Sequence, residues 1–312
     1  MTRLCLKSIR RTEAVRFGVC VPNNWGIYDF HGVISVGTRA EELGFDSVWT
    51  REHLFNVGYI GQRLGNKPYY EPLTVLAYLS ALTSKVRLGT SVLVLPYHDP
   101  VRLAKVVATL DVASGGRVTL GVGVGSMPEE YEALGVEFHE RGAIANEMLE
   151  AMRVLWMEED PVFDGKYYSF ENAKFSPKPV QKPHPRLEIG GSSPAALRRV
   201  ARLGAGWHPT AGSPDVIRKG IEKIQAEALS TGRSMKNIDV SLPINWRSDE
   251  DIGDPLSGQR PGLVGRSGKL LAQLKEYEAA GVGTIILDFA SDDIGFTLSA
   301  MEEFVKEVFA EF

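Results

Sequence analysis

Cysteine is almost absent from this chain: Cys5 and Cys20 are the two in 312 residues. They form no CxxC pair, no zinc-ligand spacing and no disulfide framework. A cytoplasmic protein is expected on that ground. There is no HxH, HExxH or acid–His metal spacing, so no metal site is expected. A GxSxG nucleophile elbow is missing, which removes support for serine hydrolase chemistry. No Walker A motif occurs. No stretch approaches the roughly 18 apolar residues of a membrane span. Met1 to Ala14 carries Arg3, Lys7, Arg10 and Arg11 but lacks the apolar core of a secretory signal. A flexible extension is expected there. Strong positive charge is also missing: 35 Lys and Arg stand against 39 Asp and Glu, a formal net charge of −4. That balance argues against nucleic acid or an anionic membrane as partner.

What is present is an alternation. Apolar runs that read as strands cover Val15 to Pro22, Ser47 to Thr50, Val86 to Leu95, Val118 to Val124, Arg186 to Ile189, Gly206 to Pro209, Ile238 to Ile244 and Thr284 to Phe289. Helical periodicity fills the gaps, from Val33 to Leu43, from Pro72, from Asp99-Pro100, and over Ala143 to Met157, Pro194 to Leu203, Pro214 to Ser230, Ser267 to Ala280 and Phe296 to Phe309. Gly44 and Gly281 stand where a helix would close in the left-handed conformation. Eight strands alternating with eight helices predict a (β/α)8 barrel over residues 15–312, as one domain. A doubly wound open sheet is the structural rival. Two stretches break the rhythm. Glu158 to Pro185 holds four prolines between Pro177 and Pro185 and reads as extended. Trp246 to Leu263, rich in Asp, Gly and Pro, has the length of a lid or binding loop.

In a barrel the chemistry collects at the C-terminal ends of the strands, which selects the residues to weigh. Gly190-Gly191-Ser192-Ser193-Pro194 is the best anion site. Glycine admits a ligand to the backbone, and the next helix offers free N–H groups. The plain alternative is a tight turn. Thr210, after the sixth strand, would add to the same spot. Gly121 to Gly125 has GxGxG spacing and is no dinucleotide fingerprint. Gly123 and Gly125 would either carry a flat ring on bare backbone or allow close packing. Glu52-His53 is the most chemical pair, because a histidine titrates near neutrality. His98, His139 and His208 are further loop histidines.

These residues together resemble a known family. Ala40 to Trp49 leading to Glu52-His53 is similar to the second β/α unit of the luciferase-like monooxygenase superfamily. Arg87 to Val92 with His98-Asp99-Pro100 is similar to its third unit. Gly116 to Gly125 with Glu130-Tyr131 and Leu134-Gly135 is similar to its fourth. Pro179 to Pro183, Gly190-Gly191 and Val264-Gly265 also fit, so the resemblance spans roughly residues 15–310. The coenzyme F420-dependent oxidoreductases are the branch it resembles most.

The resemblance implies a deazaflavin or flavin at the barrel mouth. Glu52 would contact its ring and His53 would stand near the reacting carbon. A non-proline cis peptide at Ser91-Val92 would support the ring. Gly190, Gly191 and Ser192 would hold the cofactor phosphate, with His208 and Thr210 completing that pocket. A homodimer is expected from the same source. One departure is clear: where several F420 enzymes carry a carboxylate after the fourth strand, this chain has Ser126, with Glu129 and Glu130 a turn later. Sugar-phosphate dehydrogenase activity is therefore not expected. The leading expectation is F420-dependent hydride transfer with a small organic substrate. An FMN-dependent monooxygenase is the alternative, and a non-catalytic F420- or flavin-binding protein is the alternative of another class.

Overall fold

A computed structural model describes residues 15–312 except 173, 236, 237, 249–261, 290 and 310. The 1–14 extension and most of the loop after the seventh strand lie outside the described residues.

Eight parallel strands close on themselves: β1 (Arg16–Cys20), β2 (Ser47–Thr50), β3 (Arg87–Thr90), β4 (Val118–Gly123), β5 (Arg186–Gly190), β6 (Gly206–His208), β7 (Asp239–Arg247) and β8 (Thr284–Asp288). Each pairs with its sequence neighbour, and β8 returns to β1 with Phe17 opposite Ile285. That last ladder decides for the barrel over the open sheet, because an open sheet leaves two edges unpaired. Eight helices surround it: α1 (Phe30–Leu43), α2 (Pro72–Leu82), α3 (Pro100–Ala113), α4 (Arg141–Met157), α5 (Pro194–Leu203), α6 (Pro214–Ser230), α7 (Ser267–Ala279) and α8 (Ile294–Val308).

The helix starts follow local chemistry. Glu71 accepts from the N–H groups of Leu73 and Thr74, Asp99 from Arg102, and Ser193 from Ala196. In each case proline follows at the first helical position, where its missing N–H costs nothing. Gly44 closes α1 with φ +86°, and its N–H bonds back to Ala40 and Glu41.

The main apolar core lies between strands and helices. Inside the barrel the filling is different. A small apolar layer of Cys20, Trp49 and Ile286 sits with a polar column that includes the Arg16–Asp239 and Arg186–Glu188 ion pairs. The strands are thus apolar on their outer face and small or polar on much of their inner one.

Four features depart from the expected pattern. The third strand does not run through to Leu95. It stops at Thr90, the Ser91–Val92 peptide is cis, and Leu93–Val94 re-pairs with β4 before a 3-10 turn over Leu95–Tyr97. A short helix, Gly58–Leu64, stands between β2 and α2. Another, Pro128–Leu134, stands between β4 and α4. The extended stretch after α4 carries a two-strand hairpin, Phe163–Asp164 with Ser169–Phe170. Its far end is anchored on buried Asp111, which accepts from the backbone and side chain of Gln181 at 2.9 and 2.6 Å.

Candidate active site

A cavity of about 570 Å³ opens at the C-terminal end of the barrel. That size lies within the range of small-molecule sites. Its wall includes Glu52, His53, Ser91, Val92, Gly123, Gly125, Gly190, Gly191, Ser192, His208 and Thr210, so the structure brings all of these candidates round one space.

His53 lies three residues past the end of β2. Its Nδ1 lies 2.9 Å from Oε2 of Glu130, and its Nε2 lies 3.1 Å from the Tyr59 hydroxyl. Glu130 comes from the first turn of the Pro128–Leu134 helix and is fully buried. Its carboxylate also accepts from the N–H groups of Leu54 (2.5 Å) and Phe55 (3.0 Å) and from Tyr97 O–H (2.6 Å). Burial alone would raise the Glu130 pKa. Hydrogen bonds from His53, Tyr97 and Phe55 outweigh that and hold it below the usual carboxylate range. An ionised carboxylate only accepts, so Nδ1 of His53 carries the proton toward Glu130. Nε2 then faces Tyr59 and the cavity wall.

Glu52 is 3% exposed. Its Oε2 accepts from Val94 N–H at 2.5 Å, and its Oε1 lies 2.8 Å from Nε2 of His98. Burial acts to lower the His98 pKa, but the hydrogen bond and charge of Glu52 prevail and raise it. Glu52 therefore ties the broken third strand and the start of α3 to the end of β2.

Beneath the cavity runs a buried polar chain. Ser91 Oγ lies 2.9 Å from Nε2 of His208, and Nδ1 of His208 lies 2.7 Å from Ser241 Oγ, which in turn donates to Glu188. Trp49 covers the imidazole with ring centroids 5.4 Å apart. Both His208 nitrogens are engaged inside the barrel. Glu188 is buried, which alone would raise its pKa. The His208 ring 3.7 Å away, the Arg186 charge and the Ser241 bond bring it down to about 2.

The glycines have steric reasons. A Cβ on Gly121 would come within 2.0 Å of the Thr90 carbonyl oxygen. One on Gly123 would meet Val92 at 2.7 Å, and one on Gly190 would meet it at 3.0 Å. The close packing is therefore strand against strand, around the break in the third strand. Gly191 has φ +97°, its N–H donates to His208 O, and its carbonyl accepts from Trp207 Nε1. The N–H groups of Ser192 and Ser193 find no acceptor among the described residues.

Three arginines in the wall escaped the sequence reading. Arg199 of α5 is 7% exposed, and it donates to Asn146 Oδ1 and Gly142 O. Arg141 lies 3.8 Å over the Phe138 ring, and its Nε is buried without a partner among the described residues. Arg63 lies 4.5 Å over Trp25. In sequence Arg199 reads as a polar-face cation of a helix, and Arg63 and Arg141 fall outside the expected helices. Only the fold turns them inward. Across the mouth, Arg51 forms a buried ion pair with Asp288, joining the ends of β2 and β8. Among the described residues no group of three or more His, Cys, Asp or Glu could hold a metal ion. No described helix is long and apolar enough to cross a membrane.

Several known proteins are similar to this chain in sequence or in fold. An uncharacterized protein of Mycobacterium tuberculosis is 36% identical over 171 residues, 55% of this chain. An F420-dependent glucose-6-phosphate dehydrogenase of Microbacterium testaceum is 35% identical over 228 residues, 70% of this chain. An FMNH2-dependent dimethylsulfone monooxygenase of Pseudomonas putida is 30% identical over 215 residues, 68% of this chain. The chain spans less than two thirds of each relative: 58%, 65% and 57% in that order. Among solved structures, the monooxygenase RslO1 from Streptomyces bottropensis superposes with TM-score 0.79 at 24% identity, covering 95% of this chain and 99% of that one. An F420-dependent secondary alcohol dehydrogenase in complex with an F420–acetone adduct does so with TM-score 0.79 at 19% identity, covering 96% and 99%. The sequence model for luciferase-like monooxygenases matches residues 15–254, and the chain belongs to that family.

Proposed function

We propose that this chain is an F420-dependent oxidoreductase that moves a hydride between the deazaflavin and a small organic substrate. The observation that carries the reading is the His53–Glu130 pair on the wall of the cavity, a histidine whose tautomer is set by a buried, ionised carboxylate. The residues present suit such a cofactor. The unpaired N–H groups of Ser192 and Ser193, the N-terminus of α5, and Arg199 and Arg141 would hold its phosphate beside Gly190, Gly191 and Thr210. Ser91, Val92, Gly123 and Gly125 would form the floor, with Glu52 at its edge. When bound, a deazaflavin supplies the carbon that gives or takes the hydride. The protein's part is orientation, exclusion of water, and a proton held at or taken from Nε2 of His53. Glu130 positions that ring, and Tyr59 completes the pair from the far side.

An FMN-dependent monooxygenase is the second reading. It is favoured by the 30% identity to the dimethylsulfone monooxygenase. The two cofactors imply different reactions, because a flavin activates oxygen through N5 and F420 has carbon there. Titration of the apo protein with F420 and FMN side by side tests both. F420 binding with a fluorescence change, and no FMN binding, supports the lead. A yellow protein that binds FMN alone overturns it, and binding of neither removes both.

A further inference from the structure

We infer that the cavity selects substrates bearing one negative charge, specifically a carboxylate on a compact apolar body, and that Arg63 receives it. The inference rests on the cavity being the active site and adds the class of molecule that enters it.

Arg63 ends the Gly58–Leu64 helix, with its guanidinium stacked on Trp25. Nη2 donates to Asn24 O at 2.9 Å. Arg63 lines the site and is half-buried, and its Nη1 is fully buried with no hydrogen-bond partner among the described residues. No described carboxylate lies within ion-pair distance of it. Asp288 acts on it electrostatically, but Asp288 is ion-paired with Arg51, whose own charge repels Arg63. A guanidinium keeps its proton at any working pH, so this cation cannot escape its burial by neutralising. Burial of an uncompensated charge costs stability unless a ligand completes it.

Of the other charged groups in the cavity wall, Arg51 has Asp288 and Glu52 has Val94 and His98, while Arg141 and Arg199 bond only neutral acceptors and stand on the side of the Gly190–Gly191 turn. Position separates Arg63 from the phosphate turn. Trp25 follows β1 and Ser192 follows β5, which are diametrically opposed in a ring of eight strands. Arg63 also shares its helix with Tyr59, which touches His53, and its charge acts on Tyr69, which packs edge-on against the same imidazole. An anion held by the Arg63 guanidinium therefore brings the rest of its molecule toward His53. On the Trp25 side of the cavity a single such charge matches a monoanion rather than a phosphate dianion. The surrounding Trp25, Ile60, Tyr59 and Tyr69 suit an apolar body.

The test is calorimetric titration of the full chain, with and without saturating cofactor, using benzoate, benzamide and inorganic phosphate as probes. Benzoate is expected to bind the native protein at least about tenfold more tightly than benzamide or phosphate. Arg63→Met should abolish that preference, and Arg63→Lys should restore part of it. Circular dichroism and F420 or FMN affinity should be unchanged in both variants. Equal binding of benzoate and benzamide overturns the inference, as does Arg63-dependent preference for phosphate or benzoate binding that Arg63→Met leaves unmoved. If neither cofactor binds while benzoate binding depends on Arg63, the anion site stands and the redox reading falls. If a cofactor binds and benzoate shows no preference, the redox reading stands and the anion site falls.

Discussion

Oε2 of Glu130 lies 2.9 Å from Nδ1 of His53 and also accepts from Tyr97 O–H, while Oε1 accepts from the N–H groups of Leu54 and Phe55. One buried carboxylate thus shapes the loop and sets the histidine. Glu130→Ala leaves two backbone donors and a phenol unsatisfied and should cost about 2–4 kcal/mol in denaturant unfolding. Glu130→Gln keeps an acceptor and should recover much of that loss. Nitrogen NMR should find Nδ1 of His53 protonated in the native protein and a mixture of tautomers in both variants. With cofactor and a turned-over substrate, His53→Ala should lower the rate about 100-fold or more with little change in cofactor affinity.

Asp288→Ala strands the buried Arg51 guanidinium at the closure between β2 and β8. Loss of one partner of such a pair costs about 3–5 kcal/mol. Urea unfolding should show a lowered midpoint with an unchanged slope. A stability within about 1 kcal/mol of native would show that the pair contributes little.

Glu188 links stability to acid. Its folded pKa of about 2 lies below the unfolded value of 4.5, so its contribution is fully present above pH 4.5 and is lost as pH falls toward 2. Glu188→Gln should therefore be less stable near neutrality and show a flatter acid limb across that window. His98 works in the opposite sense. Its folded pKa is raised above 6.5, so the stability it draws from Glu52 is present below 6.5 and declines as pH rises through the folded value. His98→Gln should flatten the alkaline side.

Two glycines should respond oppositely to alanine. At Gly121 the new methyl meets the Thr90 carbonyl, a backbone atom that cannot swing aside, so Gly121→Ala should destabilise by more than about 2 kcal/mol or fail to fold. At Gly268, in the first turn of α7, nothing lies within 4 Å. Gly268→Ala should stabilise by about 0.5–1 kcal/mol. Thermal unfolding of the two variants beside the native chain gives both signs.

The barrel was legible because its signals are repetitive: apolar strands, proline at helix starts, glycine after α1 and α7. The break at Ser91–Val92 left no periodic trace, since Val86 to Leu95 stays apolar throughout. Only the comparison with related motifs pointed to it. The helices Gly58–Leu64 and Pro128–Leu134 are seven residues each, too short to show a period, although Pro128 and Gly135 do mark the ends of the second. Glu130 was hidden for a further reason. Two acids in a first helical turn read as a solvated complement to the helix dipole. Here Glu129 is exposed and Glu130 is fully buried. Arg63, Arg141 and Arg199 were illegible because their burial arises from tertiary packing alone.

The Gly58–Leu64 helix contributes both Tyr59, against His53, and Arg63, over Trp25, and it belongs to none of the eight repeating units. On the proposed reading, one segment outside the repeating scaffold therefore touches both the acid–base histidine and the ligand. Grafting a different segment between β2 and α2 should then retune both together while the strands, the Gly190–Gly191 turn and the Glu188 chain stay as they are.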